Sequence, residues 1–381
     1  MDKILSIIFI VSVFYGCSGK SSVGTGEISE GRNIIADSGM VVSAHPESSR
    51  IGISILRRGG NAVDAAVATE FALAVCYPEA GNIGGGGFML VRTADGSTDL
   101  IDYREKAPAM ASVDMYLDPA GVVMEGMSTD THLASGVPGT VDGMVTIHSK
   151  YGVLPFSEVI RPAIELARNG FPITDGQAAD FNGNKENFIS RNRSLPAFVR
   201  DIPWKAGDTL RQADLALTLE RIRDHGREGF YSGMTARLIA AEMHRGNGII
   251  TTTDLEQYSA TFRDPVSADY RGYKIISASP PSGGGILLLQ ILGMIEPFNL
   301  KNTGFHSWQQ VHLITEAERR AFADRSQFPG DPDFTVIPVD ELLSDSYLAV
   351  RMSSFRSDSA SSSSVINPGS PGAFVSEETT H

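Results

Sequence analysis

Cysteine is almost missing from this sequence: Cys17 and Cys76 are the only two in 381 residues. They make neither a C-x-x-C pair nor a disulfide framework, so zinc-ribbon and thioredoxin chemistry find no motif and stability must come from packing. The eight histidines are scattered singly without an H-E-x-x-H, and His45, His132 and His312 read as structural or surface residues. No metal site is expected. There is also no G-x-S-x-G elbow, no G-x-x-x-x-G-K-[ST] and no G-x-G-x-x-G. The run Gly84 to Gly87 precedes a strand rather than a helix, so it lacks a helix N-terminus to hold a pyrophosphate and reads as close backbone approach or tight turning. No cofactor is expected. Basic excess is absent as well: 32 Lys and Arg stand against 45 Asp and Glu, a net charge of -13. A phosphate-tracking surface needs clustered cations, so nucleic acid is not an expected partner and a small-molecule or peptide substrate is. No internal repeat is visible.

The longest apolar stretch near the start, Ile4 to Tyr15, is too short to span a bilayer comfortably. With Met1-Asp2-Lys3 before it and Gly16-Cys17-Ser18 after it, residues 1–17 have the zones of a secretory signal. A cysteine at that point resembles a bacterial lipoprotein signal, which would make Cys17 the lipidated mature N-terminus, with a plain signal peptide or an inert cysteine as the alternatives. Residues 18–39, rich in Gly and Ser, would be a flexible tether. Export across the inner membrane to the periplasm or cell envelope follows as an expectation.

With 42% hydrophobic and 20% charged residues, the rest can bury a substantial core. Met40 to Ala44 reads as a strand and Pro46 to Arg58 as a helix ending at Gly59-Gly60; Asn61 caps a second helix running to about Val75. Phe88 to Thr93 and Thr98 to Tyr103 flank an Asp95-Gly96 turn, a hairpin signal. Val141 to Gly248 is mostly helical in pattern, Tyr273 to Ser277 is a strand, and Trp308 to Ala323 a further helix. Residues 353–376, rich in Ser and Pro, read as an exposed, flexible linker. Pattern alone gives a mixed α/β chain with undecided chemistry.

Four stretches resemble gamma-glutamyltransferases in order and spacing: Gly59-Gly60-Asn61-Ala62-Val63-Asp64-Ala65-Ala66; Pro78 to Met89, which contains the glycine run; Asp102-Tyr103-Arg104-Glu105-Lys106-Ala107-Pro108; and Pro280-Pro281-Ser282-Gly283-Gly284. Leu133 to Thr140, Asp269 to Tyr273 and Ala323-Asp324-Arg325 are similar too. The resemblance implies a large-subunit domain over residues 40–352 and the four-layer αββα sandwich of N-terminal-nucleophile hydrolases, incomplete without a small subunit. It further implies that 377–381 hold the autoprocessing site: cleavage between Glu378 and Thr379 would free Thr379 as nucleophile. An N-terminal threonine carries its own base, because its free α-amine titrates near 7.7 to 8.0. In such a family Arg104 would hold the α-carboxylate of the γ-glutamyl group, a task suited to a guanidinium fork, whereas a surface pair with Asp102 or Glu105 is the alternative. The implied substrates are glutathione and other γ-glutamyl compounds, with water, amino acids or dipeptides as acceptors. The oxyanion hole would lie in the small subunit, so these 381 residues alone are expected to be inactive. A related acylase and a noncatalytic envelope scaffold are the competing readings.

Overall fold

A computed structural model describes residues 35–374 apart from positions 193 and 329; Cys17, Glu378 and Thr379 lie outside the described residues. The described residues from Val41 onward form a single unit. Its first helix, α1 (Pro46–Arg57), starts with Pro46 in the first turn and the imidazole Nδ1 of His45 accepting the Glu47 N–H at 3.2 Å. Gly59, at φ +91°, turns the chain out of it. Helix α2 (Ala62–Cys76) opens with a capping box: the Asn61 side chain accepts from Val63 and Asp64, and Asp64 accepts the Asn61 N–H at 2.9 Å. Apolar all round, α2 buries Val67, Ala68, Phe71 and Val75 completely.

Strands β1 (Phe88–Arg92) and β2 (Thr98–Asp102) form the expected hairpin, with Gly96 at φ +91° in its turn. The short β3 (Thr261–Arg263) adds antiparallel to the other edge of β2, pairing Asp102 with Thr261 and Leu100 with Arg263. Helices α3 (Thr140–Tyr151), α4 (Phe156–Asn169), α5 (Ala213–His225) and α6 (Gly233–Arg245) are the longest helices of the stretch expected to be helical. Ile55, Phe71, Ile101, Met144, Ile160 and Leu219 belong to one core.

Beyond it, β4 (Val266–Tyr270) and β5 (Tyr273–Ser277) form a second hairpin, followed by α7 (Gly283–Ile295), α8 (Trp308–Gln327) and α9 (Asp345–Met352) around a smaller core that includes Ala317, Ala321 and Tyr347. Inside it, Arg320 and Glu316 pair at 2.7 Å with both side chains 1% exposed. The serine-rich stretch is exposed over most of its length, yet α8 fastens it. Ser354 Oγ accepts from Arg320, the Ser361 N–H donates to Glu316 at 2.9 Å, and the Gly369 N–H donates to Asp324 at 2.8 Å.

One expected element is corrected. Met40 to Ala44 carries no strand, because no ladder partner is offered to it among the described residues. Instead Val41 packs over Gly52 of α1, where an added Cβ would meet its methyls at 2.7 and 3.1 Å. Extended preference without a partner strand does not make a sheet.

Candidate active site

Arg104 leaves the end of β2 with an exposed side chain, while the residues that precede it, Asp102 and Tyr103, are buried. Asp102 is engaged elsewhere: its Oδ2 takes Arg263 Nε at 2.8 Å, and its Oδ1 accepts the Arg104 backbone N–H at 3.0 Å. Arg263 in turn grips Asp333, and that hydrogen bond, more than the one to Asp102, raises the guanidinium further above its ordinary value. The guanidinium of Arg104 is thereby left without an ion pair or side-chain hydrogen bond among the described residues. A pair with Asp102 or Glu105 does not form.

The backbone at Arg104 is held from several sides. Tyr258, 154 residues away, donates its hydroxyl to the Arg104 carbonyl at 2.9 Å. Lys106 exchanges two hydrogen bonds with Val137, at 3.1 and 2.7 Å. Below, the glycine run closes on the same strand exit: Tyr103 and Gly87 exchange hydrogen bonds, and Gly85 O accepts from both Gly139 and Thr140. A Cβ on Gly86 would meet Tyr103 O at 2.4 Å, and one on Gly139 would meet Tyr103 O at 2.0 Å and Tyr258 Oη at 2.1 Å. These glycines serve close backbone approach, as the sequence suggested.

Asp142 braces the far wall of the site. Buried in the first turn of α3, it accepts the Ala260 N–H at 2.6 Å and pairs with Arg227 at 3.0 Å. Arg227 reaches on to the carbonyls of Glu256 and Tyr258 at 2.8 and 2.5 Å, and Tyr258 stacks on Tyr231 with ring centroids 5.6 Å apart. Sequence reasoning missed Tyr258, Asp142 and Arg227, since each acts across more than a hundred residues from Arg104 or through a backbone atom. Cys76 is buried, and burial pushes its thiol up to about 11, which leaves it unreactive.

The family model for gamma-glutamyltranspeptidase matches residues 48–381. The chain belongs to the gamma-glutamyltranspeptidase family. It is 44% identical over 348 residues to the glutathione hydrolase proenzyme of Escherichia coli (strain K12), covering 91% of this chain and 60% of that protein. It is 37% identical to the Acylase ACY 1 proenzyme of Pseudomonas sp. (strain V22), covering 81% of this chain and 57% of that one. The crystal structure of Helicobacter pylori gamma-glutamyltranspeptidase superposes with a TM-score of 0.86 at 43% identity, over 91% of this chain and 100% of that chain. The fold is therefore the mixed α/β N-terminal-nucleophile hydrolase fold of the gamma-glutamyltranspeptidases. The chain spans about 60% of the length of the first curated relatives it matches.

Proposed function

We propose that these residues supply the carboxylate-holding part of an enzyme that hydrolyses glutathione and other γ-glutamyl compounds, or transfers their γ-glutamyl group to amino acids or dipeptides. The observation that carries this reading is Arg104: an exposed guanidinium without a partner among the described residues, on a backbone held from several sides, in a family whose relatives are named glutathione hydrolases. A planar carboxylate is the ligand such a fork fits bidentately.

In the proposed reaction the hydroxyl of Thr379 attacks the γ-amide carbonyl. Its own α-amine takes the hydroxyl proton and returns it to the departing amine, leaving a γ-glutamyl ester on Thr379. Water or an acceptor amine then opens the ester. The α-amine becomes available only when the bond between Glu378 and Thr379 is cut, and the piece after the cut is the proposed small subunit, source of the oxyanion donors. A complete match to one solved chain beside a match to about 60% of the proenzymes supports this division. Lipidation at Cys17 and residence in the cell envelope complete the proposal.

The acylase relative keeps a second reading in play. Substrate pairs separate the two, because a glutaryl anilide keeps the free carboxylate of a γ-glutamyl anilide and lacks only its α-amine. Full-length processed protein is expected to prefer the γ-glutamyl anilide, and Arg104→Ala should slow turnover of both compounds, since both carry the carboxylate. A preference for the glutaryl compound favours the acylase.

A further inference from the structure

Ile83 and Gly84, at the start of the glycine run, line a cleft of about 390 Å³ that Arg104 does not line. Phe230, Ile239 and Met243 give it an apolar lining, and Arg221 of α5 is its cation. That guanidinium is half-buried and fixed by two hydroxyls: Nε donates to Thr235 Oγ1 and Nη2 to Thr218 Oγ1, both at 2.8 Å. Each hydroxyl is oriented in turn, Thr235 donating to Gly229 O at 2.7 Å and Thr218 to Asp214 O at 3.0 Å. Nη1 and one Nη2 proton are left without an acceptor, and no carboxylate lies within ion-pair reach of Arg221 among the described residues.

The acid in the lining does not answer that charge. Glu242 is already matched by Arg245 and by His132 Nε2 at 2.9 Å, and the Arg245 hydrogen bond leads the effects that hold its carboxyl down at about 2. The cleft thus presents one unanswered, pre-oriented cation over an apolar floor, in a chain whose net charge is -13. Small-ligand sites commonly have this size and this mix of apolar walls with a few placed polar groups.

We propose that the cleft is a second ligand site, separate from Arg104, for a small monocarboxylate with an apolar body. The carboxylate sits on the free Nη1 and Nη2 edge of Arg221, and the body lies against Phe230, Ile239 and Met243. A zwitterion gains little, since Glu242 has no free charge to offer an ammonium group.

The test is calorimetric titration of the full-length protein with N-acetyl-L-leucine and, in parallel, with its neutral amide. The acid is expected to bind saturably and the amide at least about tenfold more weakly, as loss of a charge-assisted hydrogen bond implies. Arg221→Gln should weaken the acid by at least about tenfold while leaving the amide as it was, and Arg221→Lys should fall between, since a point charge replaces the fork. Because Arg221 also ties Thr218 and Thr235, Leu238→Glu serves as the second variant: Leu238 lines the same cleft and is 56% exposed, so a carboxylate there repels the ligand without disturbing the core. Arg104→Ala should bind the acid as wild type does. Equal binding of acid and amide, absence of saturation, or loss of binding in Arg104→Ala with retention in Arg221→Gln and Leu238→Glu would overturn the proposal.

Discussion

A single side chain carries the proposed recognition of the substrate carboxylate, and its environment explains why sequence could name it only by resemblance. Read as isolated residues, Asp102-Tyr103-Arg104-Glu105 offers Arg104 two adjacent acids. The fold sends Asp102 inward to Arg263, a partner on a strand 161 residues later. A bidentate charged contact is worth about 1.5 to 3 kcal/mol, so Arg104→Ala in the processed full-length protein should lower kcat/KM for a γ-glutamyl substrate roughly tenfold to over a hundredfold. Arg104→Lys should recover only part of it. Steady-state kinetics on variants of wild-type melting temperature provide the measurement, and unchanged kinetics would remove Arg104 from the site. Tyr258→Phe is the companion experiment. It deprives the Arg104 carbonyl of its donor without touching the guanidinium, so KM is expected to rise while kcat changes little. A fall in kcat with constant KM would place Tyr258 in the chemistry instead.

At the scale of elements, local signals were legible wherever a cap, a turn glycine or an apolar period fixed the outcome. Asn61 with Asp64, Gly59, Gly96 and the hairpin between β1 and β2 all behave as their residue types require. What failed, Met40 to Ala44, depended on a partner that local sequence does not record. The glycine run was legible as a whole but not residue by residue. A Cβ on Gly84 meets nothing within 4 Å, whereas one on Gly86 meets backbone at 2.4 Å. Gly84→Ala should therefore leave the urea midpoint nearly unchanged, and Gly86→Ala should lower it sharply. Equal effects would mean that the run works through flexibility rather than close approach.

Another element-scale expectation concerns Glu316 and Arg320 on α8. Burial pushes the Glu316 carboxyl up, but the hydrogen bonds from Arg320 and Ser361 outweigh it and hold the group down from 4.5 to about 2. A depressed carboxyl stabilises the fold above its unfolded pKa, and that stability fades as pH falls from about 4.5 toward 2. Glu316→Gln leaves Arg320 buried without its counter-charge, so it should cost about 3 to 5 kcal/mol at pH 7. The gap to wild type should narrow below about pH 4, once the wild-type carboxyl takes up its proton. Urea titrations at several pH values test this, and a gap independent of pH would show that the cost comes from packing alone.

For the whole molecule, the question is how the proposed nucleophile Thr379 would meet the arginine proposed to hold the carboxylate. Gly369 is pinned to Asp324 by a 2.8 Å hydrogen bond, and Thr379 follows ten positions later in the sequence. The stretch from Ser354 to Gly369 is thus fastened along α8, which a free tail of the same composition would not be. In the full-length precursor we expect self-cleavage between Glu378 and Thr379, by attack of the Thr379 hydroxyl on the Glu378 carbonyl to give an ester that water opens. Until that happens the Thr379 nitrogen is an amide and cannot act as a base, so transferase activity should appear only with processing. Thr379→Ala should abolish both cleavage and activity. Thr379→Ser should retain some of each, because the hydroxyl survives while the rotamer restriction of the β-methyl is lost. Subunit separation on a gel, with sequencing of the new N-terminus, reads the outcome directly. A new terminus at any other residue, or cleavage that persists in purified Thr379→Ala, would take Thr379 out of the mechanism and leave Arg104 without the nucleophile it is proposed to serve.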